Sequence, residues 1–388
     1  MMLPLATSSW DQEEYEAIQR VIESDRFTMG PEVEKFESDF AEFFGTNFAV
    51  MSNSGSSANL LAIAALIHSK RHHLSEGDEV IVPAVSWSTT YYPLHQYGLK
   101  MKFVDIDRDT LNLDLDELER AITDKTKMVF AVNLLGNPIN FERLQAICQN
   151  NSLILVEDNC ESMGARFEQR YAGTFGVAGT FSSFFSHHIS TMEGGITVTD
   201  CEEMYQLMIS LRAHGWTRGL PKDNLITEKS DDEFMESFRF ILPGYNLRPL
   251  EMSGAIGQAQ LTKLDSIVQG RRKNALVFQR CFSGIDGLRI QKEVGESSWF
   301  GFSMIIENGS KRSELVSLLK GAGVEVRPIV AGNFVRNPVI EIMDHETHGN
   351  LEVADYAHDN GLFFGNHHYD ISADIEKISE LVREFMEG

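Results

Sequence analysis

Three stretches of this chain combine residue types that can do chemistry. In one, Thr180-Phe181-Ser182-Ser183-Phe184-Phe185-Ser186-His187-His188 runs on to Met192-Glu193-Gly194-Gly195, a pattern that fits neither a helical nor a strand period. Its two imidazoles titrate near neutrality and suit proton transfer, although a lone histidine is more often structural. In another, Val156-Glu157-Asp158-Asn159-Cys160-Glu161 sets an aspartate at the end of an apolar run, where open α/β sheets place ligand contacts. An aspartate there can pair with a protonated heterocyclic nitrogen, or simply cap the next helix. In the third, Ser54-Gly55-Ser56-Ser57-Ala58-Asn59 puts small residues between a strand and a helix, leaving backbone N–H groups free to converge on an anion. The same pattern also makes ordinary turns.

The elements that must position these stretches alternate. Helices are expected over Gln12–Glu23 and Glu32–Phe44, the latter stopped by Gly45, and over Ala58–Ile67. Short apolar strands are expected at Phe48–Met51, Glu79–Pro83, Met101–Asp105, Met128–Asn133, Ser152–Glu157 and Gly195–Thr199. Apolar runs separated by helices imply a mostly parallel sheet covered on both faces. After about residue 250 the pattern changes. A long helix, Met252–Arg280, precedes a strand near Ser298–Ile306, a helix Arg312–Gly321 and a strand at Val324–Pro328. The division expected is a large α/β domain over 1–249 and a small α+β domain over 250–388. The acidic run Glu228–Glu236 reads as a solvated loop.

Composition narrows the function. The 388 residues are 43% hydrophobic and 23% charged, which fits a folded globular protein. The net charge of −23 argues against nucleic acid or an anionic membrane as partner, while a small anion needs only a local positive site. No apolar run is long enough to cross a membrane, and the N-terminal stretch lacks a signal-peptide core. Cys148, Cys160, Cys201 and Cys281 are widely spaced, which fits a reducing compartment, the cytoplasm. The histidine pairs lack metal-ligand spacing, so no metal is expected.

Together the stretches resemble the sugar aminotransferases, a family of fold-type I pyridoxal phosphate enzymes acting on nucleotide-linked keto sugars. The resemblance rests on SNSGSSANL at 52–60, GDEVIVPAVSWSTT at 77–90, VNLLGNP at 132–138, VEDNCESMGA at 156–165 and GYNLRPLEMSGAIG at 244–257. One position departs. Where members that transaminate carry the Schiff-base lysine, counting back from Glu193 gives His187, while counting forward from Ser183-Phe184 gives His188. No lysine lies between Lys127 and Lys222. Histidine for lysine marks the branch that dehydrates rather than transaminates. The implied reaction is loss of the C-3 hydroxyl from a GDP-linked 4-keto-6-deoxy sugar, with ammonia released. Pyridoxal phosphate and pyridoxamine phosphate would be held noncovalently, and glutamate would restore the amine form. A nucleotide-sugar aminotransferase, or a noncatalytic member, is the alternative.

The resemblance also implies roles. His187 would be the base, with His188 the alternative. Asp158 would hold the pyridine nitrogen, and Gly55, Ser56 and Ser182 the phosphate. Trp87 would stack on the ring, and Glu161 would lie near its oxygen. Asn246 would reach the phosphate of the neighbouring subunit, implying a homodimer with shared active sites. His214, Glu325 and Arg327 are candidates for substrate or glutamate contact.

Overall fold

The computed structural model describes residues 3–307 and 311–388. Its larger sheet has eight strands in the order Phe48–Ser52, Gly195–Thr199, Ala178–Ser182, Ile154–Asp158, Thr126–Val132, Glu79–Pro83, Lys100–Val104 and His345–Thr347. Neighbours run parallel except at Gly195–Thr199, which is antiparallel to both strands beside it. The strands carry near-continuous apolar runs because both faces are covered. Val80, Val82, Met101, Phe103 and Phe130 pack with Leu61, Leu66 and Tyr91 on one side. Ile81, Val104, Val129 and Ala131 meet Phe141 and Leu144 on the other. Each such fully buried side chain contributes ~1.5–3 kcal/mol relative to exposure.

The parallel strands all end toward one rim, and the turns that follow carry the chemistry-bearing residues. The helix after Phe48–Ser52 starts earlier than its apolar run suggests, at Gly55, because the Ser54 hydroxyl accepts from the Ser57 N–H at 3.1 Å and caps it.

A second, antiparallel sheet joins Leu288–Ile290, Gly301–Ile306, Gly361–Gly365 and Val326–Arg327. The 32-residue helix Glu251–Phe282 serves both sheets. Its Leu261 and Leu264 pack in one cluster with Phe181, Ile196 and Val198 of the larger sheet, and its Phe278 and Phe282 lie in the core of the smaller sheet.

Three features depart from the sequence pattern. The edge strand His345–Thr347 belongs to the larger sheet although it lies late in the chain, pairing His345 with Met101. Its Glu346 meets Lys100 and, at 2.9 Å, the buried Lys102, which also pairs with Glu79 at 2.8 Å. The N-terminal segment bridges to the smaller unit: Leu3 pairs with Val324, and the Leu5 N–H donates to Glu325 at 2.8 Å. Within the acidic run, Glu233–Glu236 forms a helical turn capped by Asp232, and Glu236 is buried beside Arg239 at 3.2 Å.

Candidate active site

A cavity of about 350 Å³ opens at the rim where the parallel strands end. Gly55, Ser56, Trp87, Asp158, Glu161, Ser182, His187 and Arg327 line it, so eight candidates from distant parts of the chain converge there.

Asp158 closes the floor. One carboxylate oxygen accepts from Asn59 Nδ2 at 2.8 Å and Thr90 Oγ1 at 2.7 Å, the other from the Cys160 N–H at 3.1 Å. Every one of these partners is a donor, the arrangement that suits an ionised carboxylate. Thr90 in turn meets Ser86 Oγ at 2.8 Å. Asn59 and Thr90 escaped the sequence reading. Asn59 carried a signal nonetheless, being a fully buried polar residue in an otherwise apolar helix.

His187 and His188 point to different places. The His187 Nδ1 lies 2.7 Å from the Cys160 carbonyl, which can only accept, so Nδ1 carries the proton and Nε2 keeps its lone pair. Burial pushes its pKa down to about 4, the Arg271 charge adding to the effect while the Cys160 carbonyl and Asp158 oppose it. The residue is therefore neutral at pH 7, with a free base on a ring that lines the cavity. His188 is buried away from the cavity, with Nε2 at 3.1 Å from the Ser298 carbonyl.

Glu161 accepts the Leu135 N–H at 3.0 Å, and burial raises its pKa to about 7, helped by the neighbouring Asp158. Trp87 leaves 56% of its surface exposed, an indole face available for stacking. A Cβ on Gly55 would stand 2.7 Å from Ser182 Cβ, so this close approach requires glycine. It begins a helix whose first N–H groups are open to an anion.

The other candidates lie outside the cavity. Glu325 is exposed and holds the Leu5 N–H, thereby placing Leu5 and Ala6 on the cavity wall. His214 is exposed, with a left-handed backbone (φ 65°) and its N–H donated to the Tyr245 carbonyl. Asn246 is exposed and accepts from Arg248 Nε at 3.0 Å.

These residues fit a pyridoxal phosphate group: an anion cradle at Gly55 and Ser56, a carboxylate for a ring nitrogen, and an unpartnered indole. The sequence pattern of the DegT/DnrJ/EryC1/StrS aminotransferase family matches residues 8–383. The chain belongs to this family. Family members of known structure superpose closely, and the fold is that of fold-type I pyridoxal phosphate enzymes. GDP-4-keto-6-deoxy-D-mannose 3-dehydratase of Yersinia pseudotuberculosis is 56% identical over 98% of this chain and 98% of its own. GDP-4-keto-6-deoxymannose-3-dehydratase crystallised with a trapped PLP-glutamate geminal diamine has a TM-score of 0.96, 56% identity, and coverage of 98% and 99%. A solved double variant of ColD replaces a histidine by lysine and the serine just before it by asparagine (TM-score 0.95, 56% identity, coverage 97% and 100%).

Proposed function

We propose that this chain removes the C-3 hydroxyl of GDP-4-keto-6-deoxy-D-mannose to give GDP-4-keto-3,6-dideoxy-D-mannose, with pyridoxamine phosphate as cofactor and glutamate restoring it. The observation that carries the reading is His187, a neutral imidazole with a free Nε2, standing where an aminotransferase of the family holds its lysine. When bound, the cofactor would supply an amine to the sugar's C-4 carbonyl and a ring that holds the electron pair left by removal of a proton from its amine-bearing carbon, the pair that then expels the C-3 hydroxyl. His187 Nε2 takes the proton from the carbon that bears the amine, and, lacking a primary amine, cannot capture the cofactor. Asp158, held in place by Asn59 and Thr90, keeps the ring nitrogen protonated. Gly55, Ser56 and Ser182 bind the phosphate, Trp87 covers one ring face, and Glu161 contacts the ring oxygen. Arg327 at the cavity wall offers a cation to the glutamate carboxylate or the sugar's diphosphate.

The choice of His187 over His188 has a second support. The ColD double variant alters a histidine preceded by serine; here Ser186 precedes His187, whereas His188 follows another histidine. The working unit is read as a homodimer in the cytoplasm. Asn246 and His214, both exposed and off their own cavity, then reach the partner's site. Among the described residues no helix is long and apolar enough to cross a membrane. The division at residue 250 into a cofactor-binding domain and a smaller one remains part of this reading.

The test is incubation with GDP-4-keto-6-deoxymannose, glutamate and pyridoxal phosphate, followed by mass spectrometry of the sugar nucleotide. A 3-deoxy keto sugar with free ammonia is expected. A 4-amino sugar retaining its C-3 oxygen would overturn the reading in favour of transamination.

A further inference from the structure

Two bulky residues next to the cavity hold left-handed backbones, Leu135 at φ 54° and Trp299 at φ 48°. Neither is glycine, and such conformations persist only where their surroundings enforce them. Here they enforce each other. The Phe300 N–H donates to the Leu135 carbonyl at 3.0 Å, and the Ser298 N–H to the Gly136 carbonyl at 2.9 Å. Gly136 has φ 97°, and a Cβ there would collide with the Trp299 backbone nitrogen. The Leu135 peptide therefore faces two ways: its N–H holds Glu161, and its carbonyl holds Phe300. From behind, Arg271 of the long helix Glu251–Phe282 donates to the Phe300 carbonyl at 3.1 Å.

The result of this clamp is the placement of one ring. Phe300 lines the cavity, and its centroid lies 5.1 Å from that of His187, with the planes tilted by 48°. Phe184 touches the same imidazole from farther off, at 6.2 Å. On its remaining side His187 is bound to the Cys160 carbonyl. Phe300 is thus the nearer of the two phenyl rings over the imidazole.

We propose that Phe300 is a positioning residue for the reaction: clamped by the turns at Leu135 and Trp299, its ring presses the His187 imidazole onto the Cys160 carbonyl and keeps water off it. The inference rests on the reading of His187 as the base. The charged and titratable groups around that imidazole are Asp158, Glu161 and the Cys160 thiol beside the Ile154–Asp158 strand, Arg271 on the long helix, His188 next in sequence, and Glu193 and Arg327 on the cavity wall. Replacing Phe300 removes none of these groups; Arg271 keeps its backbone acceptor, and His188, whose ring lies 5.9 Å from Phe300, is followed in the same titration to separate its response from that of His187. Admitting water stabilises the imidazolium, so the midpoint moves upward.

The experiment has two readouts. In cofactor-free protein labelled with [13Cε1]histidine, the His187 resonance is assigned by its absence in His187→Gln and titrated by NMR. In the loaded enzyme, the acid limb of the kcat–pH profile is measured. Phe300→Ala is expected to raise the His187 midpoint by about one unit from its lowered value and to move the acid limb by the same amount. Phe300→Met, apolar and of similar reach, is expected to restore most of both, and Phe184→Ala to shift them less than Phe300→Ala. If the alanine chain does not fold, Phe300→Val withdraws the ring while keeping an apolar stub. An unmoved His187 midpoint in the shortened variants overturns the proposal. So does an acid limb that shifts equally with methionine and alanine. Should the wild-type protein fail to make a 3-deoxy sugar, the proposed function fails, and the NMR titration still judges the role of Phe300.

Discussion

Replacing Asp158 by asparagine tests the floor of the cavity, because the change is nearly isosteric and removes only charge. Three donors converge on the carboxylate: Asn59 Nδ2, Thr90 Oγ1 and the Cys160 N–H. An asparagine can turn its oxygen toward Asn59 and Thr90, but its NH2 then faces the Cys160 N–H, donor against donor. The mismatch costs ~1–3 kcal/mol, since one bond is lost and a buried donor is left without an acceptor. Cofactor-free Asp158→Asn protein should therefore melt a few degrees below wild type. The catalytic cost is larger. A hydrogen bond to a charged partner contributes ~1.5–3 kcal/mol, so losing the one that keeps the ring nitrogen protonated should lower kcat ~10²-fold. Turnover is followed by mass spectrometry of the sugar nucleotide, and binding by retention of the cofactor on dialysis. A variant that melts early yet turns over at near wild-type rate would refute the assignment and leave Asp158 as a structural acceptor for Asn59, Thr90 and the Cys160 N–H.

Borohydride should leave no covalent cofactor on the protein, because the segment between Lys127 and Lys222 offers no amine; a reduced pyridoxyl-lysine in peptide maps would contradict this. Mixing Asn246→Ala chains with His187→Asn chains should regain activity, since one site in each heterodimer escapes both lesions; no recovery after verified subunit exchange would count against a shared site. His187→Lys should give a yellow protein that keeps its cofactor on dialysis, with dehydration lost and at most slow 4-amino sugar formation, because a misplacement of ~1 Å can cost ~10²-fold. Dehydration at wild-type rate in that variant would remove His187 from the mechanism. Glu161, with its pKa raised to about 7 from 4.5, favours the fold while protonated. That contribution is full below about pH 4.5 and is lost as pH rises through 7. Cofactor-free Glu161→Gln should therefore lose less thermal stability than wild type between pH 5 and 8, and parallel melting curves would refute it.

Much of this architecture could be read from the chain, and the exceptions share a physical reason. The strands Glu79–Pro83 and Gly195–Thr199 match their expected limits because both are buried along their whole length, which confines each to a short run dominated by apolar and β-branched residues. The edge strand His345–Thr347 has no such pattern: it is half exposed, and an ion pair with Lys102 rather than an apolar side chain anchors it. The convergence of Asp158, His187 and the Gly55 loop follows from their places after parallel strands. The partners that orient them do not. Asn59, Thr90 and the Cys160 carbonyl act through hydrogen bonds set by three-dimensional approach, and the left-handed turns at Leu135 and Trp299 occur at residue types that ordinarily avoid them. Asn246 and His214 lie off the cavity, because the motifs that suggested them fix their order along the chain and not their distance from the site.

The late edge strand has a consequence for how the protein is made. Val104 and His345 are about 240 residues apart, and a ribosome adding ~5–20 residues per second needs roughly 10–50 s to cover that interval. Throughout it the nascent Lys100–Val104 strand shows an open row of backbone donors and acceptors, the kind of edge that recruits strands from other chains. The two lysines on that strand change its character. Before Glu346 arrives, Lys100 is unpaired and Lys102 has only Glu79, so the bare edge carries positive charge that repels another copy of itself. Once Glu346 is made, it joins Glu79 in balancing the two lysines and converts a guarded edge into a closed one. The same ion pairs thus protect the chain during synthesis and fasten its last strand afterwards.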